Sequence, residues 1–364
     1  MQAPHALAWD VYCRVIDNLG DAGVCWRLAA DLASRGHTVR LMIDDPAPLQ
    51  VIAPKGASGV SVHVWPGPMD TPADVVIEAF GCELPAQRLT AIATKPQPLV
   101  WLNLEYLSAE SYVERSHRLA SPQRINGQPG PTKWFFYPGY TARTGGLLRE
   151  RELAAEQASF DRTAWLADLG LRRRPGERIV SLFCYENPRI RDLIATLAQQ
   201  PTLLLLTPGH AQAQVPEDSP LLTSSQPLLR THRLPWLDQP GYDRLLWSCD
   251  INFVRGEDSL VRAMWAGSPF VWQIYPQDDG VHAAKLQALL QQMQAPPELS
   301  ALWWAWNGLS DLPWPVWPML QGRESWQQAC TAWRNQLQAQ DDLCTQLVRF
   351  VNTRLDNSRQ HLNP

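Results

Sequence analysis

The chain has 364 residues, 45% hydrophobic and 19% charged, with a formal net charge of −4. That length favours two domains with substantial cores. The charge removes the electrostatic case for nucleic-acid binding, since no basic run or aromatic–basic ribbon offsets it. No apolar run approaches the ~20 residues that span a bilayer, and the opening MQAPHALAWDVYC lacks the charged and apolar regions of a signal peptide. Seven scattered cysteines without C-x-x-C read as reduced, packed thiols in a cytoplasmic protein. Eight histidines form no H-x-x-x-H or Cys/His cluster, so no structural metal is expected.

Trp9–Ile16 reads as a first strand, Asp17–Gly23 as a turn-rich loop, Val24–Ser34 as a helix and Val39–Ile43 as a second strand. This βαβ opening predicts a parallel sheet with right-handed crossovers. A dinucleotide reading of the loop fails. G-x-G-x-x-G is absent, and Asp17 and Asp21 would face a pyrophosphate. Two carboxylates at a sheet's carboxyl edge suit a cationic partner or general-base work. The competing reading is structural: Asp17 or Asn18 caps the turn, and Asp21 caps the helix. Further strands are expected over Val60–Trp65, Val75–Phe80 and Leu99–Leu104, with a helix over Pro85–Ala93. Pro122–Pro131 is expected to be a Pro/Gly loop, followed by a dense aromatic stretch at Trp134–Tyr140.

Arg149–Gln157 reads as a charged helix, and the interdomain connection falls between about 150 and 176. A second β/α half follows, with strands at Ile179–Tyr185, Leu203–Thr207 and Leu228–Leu234 and helices at Pro188–Gln199 and Tyr242–Cys249. Next comes a buried strand ending at Arg255, then the Gly256 turn and a helix capped by Asp258 or Ser259. Gly267 closes that helix and Pro269 prevents its continuation. A strand over Phe270–Tyr275 leads to Pro276-Gln277-Asp278-Asp279. A helix N-terminus at a strand's carboxyl end, with Arg255 beside it, suits a phosphate. Glu257 and Asp258 oppose that charge. They must cap backbone N–H groups, pair with Arg255 or Arg262, or bind sugar hydroxyls. Trp303, Trp304, Trp306, Trp314 and Trp317 suggest an irregular aromatic packing layer. Ser325–Asn357 carries long helical periodicity.

The Gly turn, Ala266-Gly267-Ser268-Pro269 and the P-x-x-D loop resemble the donor half of GT-B glycosyltransferases. More specific are VIDNLGDAGVCWRLA at 15–29, LNLEYL at 102–107, FFYPGYTARTGGL at 135–147, FCYE at 183–186, PWLDQ at 235–239 and FVRGEDSLVRA at 253–263. Over nearly the whole chain these motifs resemble the bacterial protein-arginine rhamnosyltransferase family that modifies elongation factor P. The resemblance implies a GT-B α/β fold, two Rossmann-like domains facing across a cleft. An N-terminal acceptor domain would span 1–155, with a C-terminal helix at about 340–364 packed back on it, and a nucleotide-sugar domain would span 170–335.

The same resemblance implies inverting transfer of L-rhamnose from dTDP-β-L-rhamnose to an arginine of elongation factor P, with no metal or other cofactor and no membrane or nucleic-acid partner. Asp21, as general base, and Asp17 would be catalytic, with Glu257 as a third carboxylate that grips hydroxyls or steadies Arg255. Donor contacts would come from Phe183, Tyr185, Trp236, Gln239, Tyr242, Arg255, Gly256, Glu257, Asp258 and Ser259. The chemistry agrees with that division. A guanidinium is a poor nucleophile that must be held, oriented and relieved of a proton. A departing diphosphate needs cationic and N–H stabilisation. The alternatives are a GT-B enzyme for a small-molecule or lipid acceptor, and a non-catalytic nucleotide-sugar-binding protein.

Overall fold

Runs of β-branched and leucyl residues alternate with amphipathic helices, and the chain answers with two parallel sheets. The computed structural model describes residues 6–67, 71–215, 228–276, 280–315 and 323–362. The chain divides into two compact units, 1–150 with 339–364, and 151–338.

In the first unit the elements are β1 (Ala8–Cys13), α1 (Asn18–Ser34), β2 (Thr38–Ile43), α2 (Ala47–Ile52), β3 (Val60–Val64), β4 (Val75–Ala79), α3 (Ala86–Thr94), β5 (Val100–Leu104), α4 (Tyr112–Ser116), β6 (Ala120–Ile125) and β7 (Gln128–Phe136). The sheet order is β3-β2-β1-β4-β5-β7-β6, parallel except for the antiparallel β6–β7 pair. Strand order reverses between β1 and β4, so their carboxyl ends open a crevice where α/β sheets bind ligands.

Pro122–Pro131 is therefore a hairpin rather than a loop. Asn126 (φ 51) and Gly127 (φ 78) form its turn, the left-handed pair that a two-residue hairpin needs. Its prolines are tolerated because β7 pairs with β5 only from Lys133 onward, leaving Pro129 and Pro131 beyond that ladder.

The second unit contains α5 (Leu153–Ala158), α6 (Arg162–Asp168), β8 (Arg178–Leu182), α7 (Ile190–Leu197), β9 (Thr202–Leu206), α8 (His210–Gln214), β10 (Leu229–Arg233), α9 (Gln239–Ser248), β11 (Ile251–Arg255), α10 (Gly256–Ala266), β12 (Phe270–Gln273), α11 (Val281–Gln292), α12 (Pro297–Trp306) and α13 (Arg323–Gln338). Its parallel sheet runs β10-β9-β8-β11-β12, with the reversal between β8 and β11. The charged stretch after Arg149 is helical only from Leu153.

The tryptophan cluster is more regular than expected. Trp303, Trp304 and Trp306 sit on α12, which Pro297 starts rather than breaks. Trp303 donates its indole N–H to the Phe270 carbonyl at 3.1 Å, and the Trp306 ring meets Phe253 at 4.9 Å. Both are buried, so neither offers a sugar platform. Trp317, like Gln277, Asp278 and Asp279 of the P-x-x-D loop, lies outside the described residues.

The periodic C-terminal segment is two helices. After α13, the 339–342 turn leads into α14 (Leu343–Leu362), which returns to the first unit. There Leu343, Cys344, Leu347, Phe350, Val351 and Leu355 complete the core under β1, β4 and β5. Each such apolar side chain contributes about 1.5–3 kcal/mol, so this helix is integral to the unit. Arg35 fixes its start, reaching Asp31 at 2.8 Å, Asp342 at 2.7 Å and Thr345 at 2.7 Å. Gly146 (φ +73) admits the turn, since a Cβ there would lie 2.5 Å from the Asp341 carbonyl oxygen. Gly146→Ala is expected to lower stability by roughly 1–3 kcal/mol, read as a lower urea midpoint. An unchanged midpoint would show that the turn yields without cost.

Candidate active site

In the first unit the chain leaves β1 and enters α1 earlier than the sequence suggests. Residues 18–23 are helical, and Asp17 is the N-cap, without a side-chain capping bond. The helix is started from within. The Asp21 carboxylate accepts from the backbone N–H groups of Ile16 (2.9 Å) and Asp17 (2.8 Å). Gly20 lets the Asp17 side chain come close, since a Cβ would fall 2.6 Å from an Asp17 carboxylate oxygen. Asp17 is half-buried beside Asp21, which is only 3% exposed.

Burial pushes the Asp21 carboxyl above its ordinary range, and the charge of Asp17 adds to that. The two backbone N–H groups and a hydrogen bond from Tyr106 oppose the shift. The expected alternative, Asp21 as a helix cap, is thus half right: it satisfies orphan N–H groups and still stands as a buried carboxylate of raised basicity at the strand-order reversal. Sequence reading did not single out Tyr106. It follows β5 and stacks on Phe80, after β4, with ring centroids 4.4 Å apart. Phe80 adopts φ 58 to present its ring. Tyr106 lies in the LNLEYL stretch, whose position after a strand was the available signal.

In the second unit the same topology places the loops after β8 and β11 together. Arg255 ends β11, and its guanidinium carbon lies 4.5 Å from the Phe183 ring centroid and 4.3 Å from that of Tyr185. Its Nε is buried without a hydrogen-bond partner, and among the described residues it pairs with no carboxylate. Tyr242, from α9, meets Phe183 edge-on at 5.6 Å. Gln273 of β12 holds the loop by accepting from the Tyr185 N–H and donating to the Glu186 carbonyl, at 2.9 and 3.1 Å.

The helix after Arg255 starts at Gly256 (φ 70), not at an Asp258 or Ser259 cap. The Ser259 hydroxyl instead reaches back, accepting from the Arg255 N–H at 3.1 Å and donating to the Arg255 carbonyl. This leaves Glu257 and Asp258 half-buried in the first turn, where the helix dipole favours them. Arg262 pairs in a buried fork with Asp243 at 2.8 and 2.7 Å, which locks α10 to α9. Gln239 opens α9 and is 7% exposed, behind the N-cap Asp238, whose carboxylate accepts from the Gly241 N–H. The Asp-Gln-Pro run was a readable helix start. Trp236 stands apart: it is 53% exposed and makes no ring contact among the described residues.

Two α/β units that share one five-strand parallel order, one with paired aspartates and the other with an arginine against two rings at its reversal point, define a GT-B glycosyltransferase. The model of the Elongation-Factor P (EF-P) rhamnosyltransferase EarP family matches residues 9–352, and the chain belongs to that family. A protein-arginine rhamnosyltransferase of Pseudomonas putida is 43% identical over 95% of this chain and 99% of its own length. That of Pseudomonas aeruginosa is 41% identical over 94% and 98%. A solved structure described as the structural basis for EarP-mediated arginine glycosylation of translation elongation factor EF-P is 33% identical, with a TM-score of 0.66, and covers 95% of this chain and 99% of that one. The spinosyn rhamnosyltransferase SpnG complexed with thymidine diphosphate shares the fold at 14% identity and a TM-score of 0.52, over 95% and 99%.

Proposed function

We propose that this enzyme transfers L-rhamnose from dTDP-β-L-rhamnose to one arginine side chain of elongation factor P, inverting the anomeric centre without a metal ion. The observation that carries the reading is Asp21, a buried carboxylate of raised basicity at the reversal point of the first unit. Asp17 holds the acceptor guanidinium by charge-assisted hydrogen bonds. A guanidinium nitrogen attacks the anomeric carbon as the bond from that carbon to the diphosphate oxygen breaks. The proton lost from the attacking nitrogen goes to Asp21, and the electron pair leaves with dTDP.

On the donor side, Arg255 and the N–H groups at 256–259 meet the growing diphosphate charge. The Phe183 and Tyr185 rings hold the guanidinium in place, which sets its fork of donors before the donor arrives. Gln239, Tyr242 and the exposed Trp236 contact the nucleotide and sugar. Asp258 and Ser259 belong to the diphosphate turn, and Glu257 grips sugar or ribose hydroxyls. We place the enzyme in the cytoplasm. All seven cysteines are free and buried, as suits a reducing compartment. Among the described residues no helix is long and apolar enough to cross a membrane.

The test is the intact mass of elongation factor P after incubation with enzyme and dTDP-β-L-rhamnose, followed by fragmentation. One deoxyhexose on an arginine is expected. No mass change, with donor binding demonstrated, would discard this acceptor and favour a small-molecule one.

A further inference from the structure

We infer that the face of the first unit formed by α14, β7 and the start of β6 docks an acidic surface of the protein acceptor through Arg118, Arg349 and Arg354. The choice of occupant rests on the acceptor reading above. Arg354 lies on the Trp134 ring, its guanidinium carbon 3.9 Å from the centroid, and 4.9 Å from that of Phe350. Arg118 lies 5.6 Å from the Phe350 centroid and 5.9 Å from that of Phe136. Arg349 pairs with Asp341 at 2.8 Å, and Arg118 reaches only the neutral Gln346, at 3.3 Å. Three guanidiniums thus share one carboxylate among the described residues, and the Arg354 Nε is buried without a partner.

This arrangement opposes itself. Burial, then the charges of Arg349 and Arg354, hold the Arg118 guanidinium below its ordinary range. Covering Trp134 and Phe350 from water explains the arginine stems, but it does not need three like charges. A carboxylate-bearing partner relieves the repulsion. The site is also rigid: Arg118 sits at φ 64, with its N–H bonded to the Phe135 carbonyl at 2.7 Å.

A protein fits better than a nucleic acid. The ring faces are already covered by guanidinium, which leaves none for base stacking. The neighbouring Leu119 is 55% exposed and immediately precedes the edge strand β6, so an apolar contact flanks the charges. The mixture of an apolar spot with fixed arginines is the usual anatomy of a protein interface.

The test compares the parent enzyme with the Arg118→Gln/Arg354→Gln and Arg118→Lys/Arg354→Lys double variants. KM for elongation factor P is measured across a salt series, with dTDP affinity alongside. The Gln variant is expected to raise KM about tenfold and to flatten its salt dependence, with kcat and dTDP affinity unchanged. The Lys variant should stay within about twofold of the parent, since it keeps the charge. An unmoved KM and salt slope in the Gln variant would overturn the docking surface, as would equal losses in both variants. Loss of RNA-oligomer binding with the acceptor KM unmoved would assign the patch to nucleic acid and overturn it too. No transfer by the parent enzyme would sink the acceptor reading itself, and the occupant with it.

Discussion

Asp21→Asn is expected to slow rhamnosyl transfer by roughly 10²–10⁴-fold, the usual worth of a general base, while dTDP affinity stays within about twofold. The substitution suits the site. An Asn side-chain oxygen can still accept from the Ile16 and Asp17 N–H groups, so the start of α1 should survive. What is lost is the negative charge and the ability to take a proton. Single-turnover transfer measures the first effect and calorimetry the second. A rate within a few-fold of the parent would remove Asp21 as the base.

The pH dependence has a definite sign. Only the ionised carboxylate accepts the proton, and burial holds the Asp21 carboxyl above the ordinary range. The working fraction therefore falls, on acidification, at a higher pH than for an ordinary aspartate of about 3.9. The acid limb of the parent's rate profile should lie above that value and vanish in the Asn variant.

The alternation of strands and helices was legible, because parallel strands buried on both faces read as continuous apolar runs. What misled were residues that break helices locally but are overruled by tertiary bonds. Asp17, Gly20, Asp21 and Gly23 look like a loop. All but Asp17, which is the N-cap, are helical because Asp21 folds back onto the N–H groups before it, and because Gly20 lets Asp17 come close. The prolines of this segment likewise outweighed the Asn126-Gly127 turn, although Pro129 and Pro131 lie beyond the ladder that β7 forms with β5.

The site divides the same way. Arg255 was readable as the cation at a helix start. Its stacking on Phe183 and Tyr185 was not, since those rings arrive from the loop after β8, and only the β8–β11 pairing brings them there. Tyr106 and Gln273 escaped notice for a related reason: each acts on a residue distant in sequence, through a hydrogen bond that no local pattern announces.

Arg255→Ala is expected to slow transfer by roughly 10²–10³-fold, as for other single donors to a developing anion, and to weaken dTDP binding as well. The guanidinium lies between two rings and pairs with no protein carboxylate among the described residues, so its removal exposes no buried anion there. The fold should therefore hold, and an unchanged thermal midpoint checks this. Arg255→Lys is the sharper variant. Lysine restores the charge as a strongly hydrated point, without the fork of donors or the flat face that stacks. If preorganised geometry is what the diphosphate needs, lysine recovers little of the rate while recovering part of the dTDP affinity, and the recovered part weakens with salt. Full recovery by lysine would show that charge alone suffices and that the Phe183–Tyr185 clamp is only packing. A parent-like rate in the alanine variant would move the diphosphate away from Arg255 altogether.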